Sequence, residues 1–174
     1  MISEDQLKAI MPYCKNPGGF LPELNKAMVE GEINTPLRQA AFLAQLAHES
    51  GELRYWEELA SGAAYEGRKD LGNTQPGDGI RYKGRGPIQL TGRNNYRLAG
   101  QALGVDLEND PKRAAQLDVG FRVASWFWKS KGLNQLADAV KYDEITKRIN
   151  GGTRGLEHRL RYYETAKRAL GVIG

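Results

Sequence analysis

Apolar residues recur at three- and four-residue spacing through eight segments of this chain, and the alternation that a half-buried strand requires is nearly absent. The spacing predicts helices near 3–11, 20–30, 36–50, 92–103, 111–131, 133–140, 143–149 and 155–170, which confines the fold to a mainly α class. Local signals agree with it. Ser3 and Gln6 read as a capping box, and Thr35 with Pro36 at the first helical position reads as a start. Gly51 and Gly104 read as stops, and Asp143 as a cap for Glu144–Ile149. The exception is 61–86, where seven of the 21 glycines fall together with Pro76. This stretch is expected to form a long loop or a small irregular lobe, and loops of that length inside compact domains usually carry function.

Bulk properties narrow the possibilities. With 174 residues, 40% hydrophobic and 26% charged, the chain is expected to fold as one domain over 1–174 with its own core, as a monomer. No stretch approaches the length of a membrane span, so no membrane insertion is expected. The start Met1-Ile2-Ser3-Glu4-Asp5 lacks the features of a signal peptide, which predicts synthesis in a cytoplasm. A single cysteine, Cys14, excludes an internal disulfide and argues against a thiolate metal site. The net charge of +4 favours a polyanionic partner or surface, such as nucleic acid, an anionic envelope or an acidic cell-wall polymer. Basic clusters at Arg81/Lys83/Arg85, Lys129/Lys131 and Arg154/Arg159/Arg161 are read as solvated faces, with no nucleic-acid groove.

Two carboxylates carry the chemical signal. Glu49 falls in the last turn of the helix that Gly51 stops, where the helix dipole does not favour a negative charge, and Glu58 follows nine residues later. Two acids on separate elements, facing each other across a groove, are what glycoside hydrolysis requires: one donates a proton to the leaving oxygen, the other serves water or the sugar. The glycine loop closes with Tyr82-Lys83-Gly84-Arg85-Gly86-Pro87-Ile88-Gln89-Leu90-Thr91-Gly92. Its glycines allow close backbone approach, but the segment lacks the further glycine and the lysine of nucleotide sites. Gln89, Thr91 and Asn95 instead offer amides and a hydroxyl for water or sugar hydroxyls. Arg159, following Ile149-Asn150-Gly151-Gly152, can orient a carboxylate.

Four ordered motifs are Phe42-Leu43-Ala44-Gln45-Leu46-Ala47-His48-Glu49-Ser50, Gly84 to Tyr96, Ser125-Trp126-Phe127-Trp128 and Ile149-Asn150-Gly151-Gly152. Together they resemble glycoside hydrolase family 19, which contains plant and bacterial chitinases and phage endolysins, over about Pro36 to Gly171. The resemblance implies a lysozyme-like, two-lobed helical fold with a substrate groove and an inverting mechanism without metal or cofactor. By the same resemblance Glu49 is the general acid, Glu58 the general base, and Thr91 the hydroxyl that helps hold the water. Gln89, Asn95 and Asn150 line the substrate groove, and Arg159 pairs with the acid. Glu57 and Glu66 remain alternative bases. The chain departs from the plant members in lacking their disulfides and several loops.

The remaining residues have plainer readings. Glu52 stands where a zinc motif would need a second histidine, so His48 is expected to support or line the glycan site without binding metal. His158 is expected on the surface. Tyr96 is assigned either to the groove or to the core, Trp126 and Trp128 to the core, and Tyr162-Tyr163 to helix packing. Glu49 is expected among apolar neighbours, with Glu58 in a wetter position. These readings predict an endolysin that hydrolyses β-1,4 bonds of bacterial cell-wall peptidoglycan, with chitin as the alternative substrate. A lytic transglycosylase needs only one acid, and a non-catalytic wall-binding module would have no need to keep both.

Overall fold

The computed structural model describes residues 1–172. Nine α-helices are present among them: α1 (Glu4–Ile10), α2 (Pro17–Glu30), α3 (Pro36–Ser50), α4 (Asp78–Arg81), α5 (Arg93–Leu103), α6 (Leu117–Ser130), α7 (Leu133–Asp138), α8 (Tyr142–Asn150) and α9 (Leu156–Ala169). The expected mainly helical class is observed. Short 3-10 turns occupy Ala63–Tyr65, Lys69–Leu71 and Pro111–Ala115, so the run expected over 111–131 is a 3-10 turn followed by α6. Ser3 and Gln6 form the capping box, and the Thr35 hydroxyl accepts the Arg38 amide at 3.2 Å. A cap of that kind contributes about 1 kcal/mol. Helix α2 starts three residues before the expected position because Asn16 caps it by accepting from Gly19, with Pro17 at the first position. Asp143 lies inside the first turn of α8 and forms no cap.

Helix α3 organises the core. Its sequence reads as amphipathic, yet all nine residues from Gln39 to Ala47 are buried. A helix surrounded on every side must be narrow, and Ala40, Ala41, Ala44 and Ala47 let neighbours approach closely. Helix α9 packs along its length, and α1 and α7 close other sides. Phe42 meets Trp128 edge to face at 5.3 Å, and the Trp128 indole donates to Asn134 Oδ1 at 2.9 Å. The two buried glutamines are paired: Gln39 donates to the Ile33 carbonyl, and Gln45 donates to the Thr146 hydroxyl at 3.0 Å. This pairing removes the cost of burying them.

Behind α3 the chain enters a left-handed turn. Gly51, Glu52 and Leu53 all have positive φ, of 58°, 62° and 65°. Glycine adopts this conformation freely, whereas the other two residues cost of order 1–2 kcal/mol each. The turn is pinned from within and from outside. Ser50 Oγ donates to the Leu46 carbonyl and accepts the Leu53 amide at 2.8 Å. The buried Glu52 carboxylate accepts the Tyr13 amide at 2.8 Å and the Tyr162 hydroxyl at 2.7 Å, tying the turn to both ends of the chain.

The glycine-rich stretch forms an irregular small lobe. The Glu66 carboxylate accepts the amides of Gly77 and Gly79 at 2.9 and 2.8 Å. Asp78 receives both Arg93 Nε and Nη2, which anchors α4 to the start of α5. Isolated antiparallel bridges join Glu57 to Arg85 and Arg85 to Leu90, so the segments around residues 57, 85 and 90 lie side by side.

Candidate active site

Glu49 is the next-to-last residue of α3, and its Oε1 stands 2.7 Å from Arg159 Nη1 on α9. Arg159 is 2% exposed and Glu49 20%, so a buried guanidinium holds a carboxylate that reaches solvent. Arg159 is itself positioned by Gln45, one turn before Glu49, whose Oε1 accepts from Nη1 at 2.6 Å, and by the Arg154 carbonyl at 3.2 Å. The apolar surround expected for Glu49 is therefore replaced by an ionic one. Two helices that pack closely can bury an arginine only if it finds acceptors, and Gln45 and Glu49 are the acceptors that α3 offers. Arg159 also leaves the solvated basic face to which the sequence assigned it, as does Arg85, which is 4% exposed.

Glu58 is held differently. Its backbone amide donates to the Gly84 carbonyl at 2.8 Å, and its side-chain Oε1 accepts the Gly84 amide at 2.9 Å. Tyr65 completes the grip by donating its hydroxyl to Oε2 at 2.7 Å, which raises the tyrosine pKa. A side-chain carbon built on Gly84 would stand 2.7 Å from Gln89 Oε1, 3.2 Å from Glu58 Oε1 and 3.4 Å from Thr91 Oγ1. Glycine is required there because three polar side chains converge on its bare α-carbon. Gln89 reaches this point from a left-handed backbone (φ 57°), the kind of strain that persists where the surroundings enforce it. Thr91 donates to the Gln89 carbonyl at 2.9 Å, and Asn95 donates to the Thr91 carbonyl at 2.8 Å.

The neighbouring acids are engaged elsewhere. Glu57 pairs with Lys83 at 3.2 Å and lies 3.6 Å from Arg85, while Glu66 holds the two glycine amides of the small lobe. Those amides keep the Glu66 carboxyl below its ordinary range.

A cleft of about 470 Å³ opens on Glu49. Gln89, Thr91, Asn95 and Asn150 line it, together with Trp126, Phe127, Ser130 and Lys131 from the end of α6. Glu58 is not on its wall, and adjoins it through Gly84, Gln89 and Thr91.

Two residues assigned to the glycan site lie off the cleft, and Arg159 reaches it only through Glu49. Tyr96 is fully buried, donating to the Lys83 carbonyl and accepting from Arg85 at 3.2 Å, so its hydroxyl is unavailable to a ligand. His48 turns toward α9, where its Nδ1 lies 2.7 Å from His158 Nδ1. Burial first, then Arg159 and His158, lower its pKa to about 4. Trp128 is core as expected, while Trp126 is only partly buried and faces the cleft. Sequence reasoning missed Gln45, Tyr65, Lys83 and Lys131. Gln45 had a visible signal, since it precedes Glu49 by one helical turn. Tyr65 had none, because it reaches Glu58 through an irregular lobe.

The profile of glycoside hydrolase family 19, described as chitinase class I, matches residues 26–151. The chain belongs to this family. A family 19 domain-containing protein of Haemophilus influenzae is 30% identical over 94% of both chains. An endochitinase of Arabidopsis thaliana is 39% identical over 76% of this chain, which spans only 48% of that relative. Among solved structures, a bacterial family 19 chitinase superposes with a TM-score of 0.84 at 27% identity, over 99% of this chain and 96% of that one. Chitinase C of Streptomyces griseus gives 0.81 at 25% identity, over 98% and 76%. The family 19 fold accounts for the lysozyme-like helical architecture and makes this chain a chitinase-like glycoside hydrolase.

Proposed function

We propose that this family 19 hydrolase cleaves β-1,4 bonds between the amino sugars of bacterial cell-wall peptidoglycan, with inversion, using Glu49 as acid and Glu58 as base. The observation that carries the division of roles is the placement of the two carboxylates, Glu49 on the cleft wall and Glu58 adjoining it beside Gly84, Gln89 and Thr91. Glu49 has one oxygen on a buried guanidinium and reaches the cleft, where a glycosidic oxygen can be protonated. Glu58 is fixed by an amide and a hydroxyl beside Gln89 and Thr91, where a water can be held and deprotonated. Arg159 orients Glu49 and transfers no proton, because guanidinium stays charged at any working pH. Positioned acid and base groups contribute about 10²–10⁴-fold each.

The net charge of +4 supports an anionic wall as substrate. On this reading the enzyme is made in the cytoplasm and acts after release. Chitin is the second reading, favoured by the chitinases and endochitinases among the relatives. Clearing of permeabilised bacteria, run beside hydrolysis of neutral chitin oligomers, separates the two. Glu49→Gln and Glu58→Gln should each lose at least about 10²-fold in whichever assay responds, while Glu57→Gln should keep most activity. Full activity of a folded Glu49→Gln protein would overturn the assignment.

A further inference from the structure

The cleft walls are neutral with two exceptions, Glu49 and Lys131. Lys131 caps the C-terminal end of α6, and its ammonium stands 5.6 Å from the centre of the Phe127 ring, another cleft residue. Its neighbour Lys129 pairs with Glu32 at 3.3 Å, whereas Lys131 has no carboxylate partner among the described residues. Arg148 donates Nη1 to the Lys131 carbonyl at 2.8 Å, bringing a second cation to the same corner. A glycan built only of N-acetylglucosamine offers hydroxyls and amides and gives an ammonium nothing to neutralise. Peptidoglycan carries a lactyl ether on every second sugar and, on that, a peptide with free carboxylates.

Resting on the reading of this cleft as the glycan site, we propose that Lys131 is a specificity-determining residue that recognises a carboxylate carried by the glycan. It makes the cleft prefer an acidic glycan over a neutral one. An exposed ion pair is worth up to about 1 kcal/mol, or roughly fivefold in binding. Aromatic support from Phe127 keeps the ammonium over the cleft. The effect belongs in KM, because an ammonium that pairs with a substituent binds the glycan and transfers no proton.

Two chitin derivatives with substituents of similar size separate charge from shape: carboxymethyl chitin is acidic and glycol chitin is neutral. Wild-type enzyme should show the lower KM on the acidic polymer, by about two- to fivefold, and lose that preference at high ionic strength. Lys131→Gln should abolish the preference and Lys131→Glu reverse it, in each case by raising KM on the acidic polymer more than on glycol chitin. Equal losses on both polymers, or none on either, would overturn the proposal. Solubilised peptidoglycan strands, with and without their stem peptides, form the third arm. With the peptide attached the lactyl carboxyl is an uncharged amide, so a Lys131 effect on those strands assigns the contact to a peptide carboxylate, and one that appears only after peptide removal assigns it to the freed lactyl carboxylate. If wild type spares peptidoglycan yet shows the Lys131-dependent preference on the chitin pair, the peptidoglycan reading fails while the role of Lys131 stands.

Discussion

At Gly84 a single hydrogen in place of a methyl group decides the geometry of the proposed base. Its backbone is compatible with alanine, so Gly84→Ala tests crowding without backbone strain. The new carbon would press on Gln89 Oε1 at 2.7 Å and Glu58 Oε1 at 3.2 Å. Activity should fall at least about tenfold through misplacement of groups that hold water, with the helical circular-dichroism signal retained. Wild-type turnover would mean that Glu58 and Gln89 are not required where the structure puts them. Arg159 makes the complementary case. Arg159→Lys preserves the charge but cannot serve Gln45, Glu49 and the Arg154 carbonyl at once. Activity should drop, and stability should fall by about 1–3 kcal/mol as buried acceptors lose their donor. Chemical denaturation and initial rates on the same preparation would check both.

Between α3 and the segment bearing Glu58, the left-handed turn at Gly51–Leu53 sets how the two acids relate. Its strain is offset by the Glu52 contacts to Tyr13 and Tyr162. Glu52→Ala should therefore cost about 1–3 kcal/mol, by leaving the part-buried Tyr13 amide and the Tyr162 hydroxyl without their acceptor. It should also lower kcat more than it raises KM, because the glycan-lining residues are untouched. The seam between α3 and α9 carries a second testable element, the His48 and His158 contact. His48 has a folded pKa near 4, below its ordinary 6.5, so the folded chain binds fewer protons between those values. Stability is then complete above about pH 6.5 and declines as pH falls toward 4. Thermal melts of wild type and His48→Gln across that window should show a shallower decline in the variant. Parallel curves would remove His48 from the account.

For the molecule as a whole, the mechanism predicts stereochemistry. If Glu58 activates water on the face opposite Glu49, the first product from a β-linked amino-sugar oligomer is the α-anomer. NMR before mutarotation reads this directly. A β-anomer would indicate a covalent intermediate, and a 1,6-anhydro sugar would indicate transglycosylation; either would remove the acid-plus-base scheme while leaving the family 19 fold intact.

Caps and periodic burial depend on a few adjacent residues. That is why Ser3 with Gln6, Thr35 with Pro36, Gly51 and Gly104 marked helix ends correctly from the sequence. The motif around Glu49 and the run from Gly84 to Thr91 were legible for the same reason: each is a contiguous piece of chain with its chemistry in order. Asp143 failed as a cap because one more residue, Tyr142, is buried against α9 and draws the helix start with it. Tyr96 showed the same limit, since its spacing fits a groove or a core equally and only packing against Tyr82 and Arg85 placed it inside. Most dependent on tertiary structure was the setting of the acids. Gln45 and Arg159 are 114 residues apart and meet only when α9 docks on α3, and Glu58 gains its partners only when the small lobe folds back. Local pattern alone was enough for eight of the nine helices, for the family and for the candidate carboxylates, and it missed only the short α4 inside the glycine-rich stretch. The environments of those carboxylates were decided by the packing of distant segments, because an ion pair or a shared hydrogen bond has no local pattern to announce it.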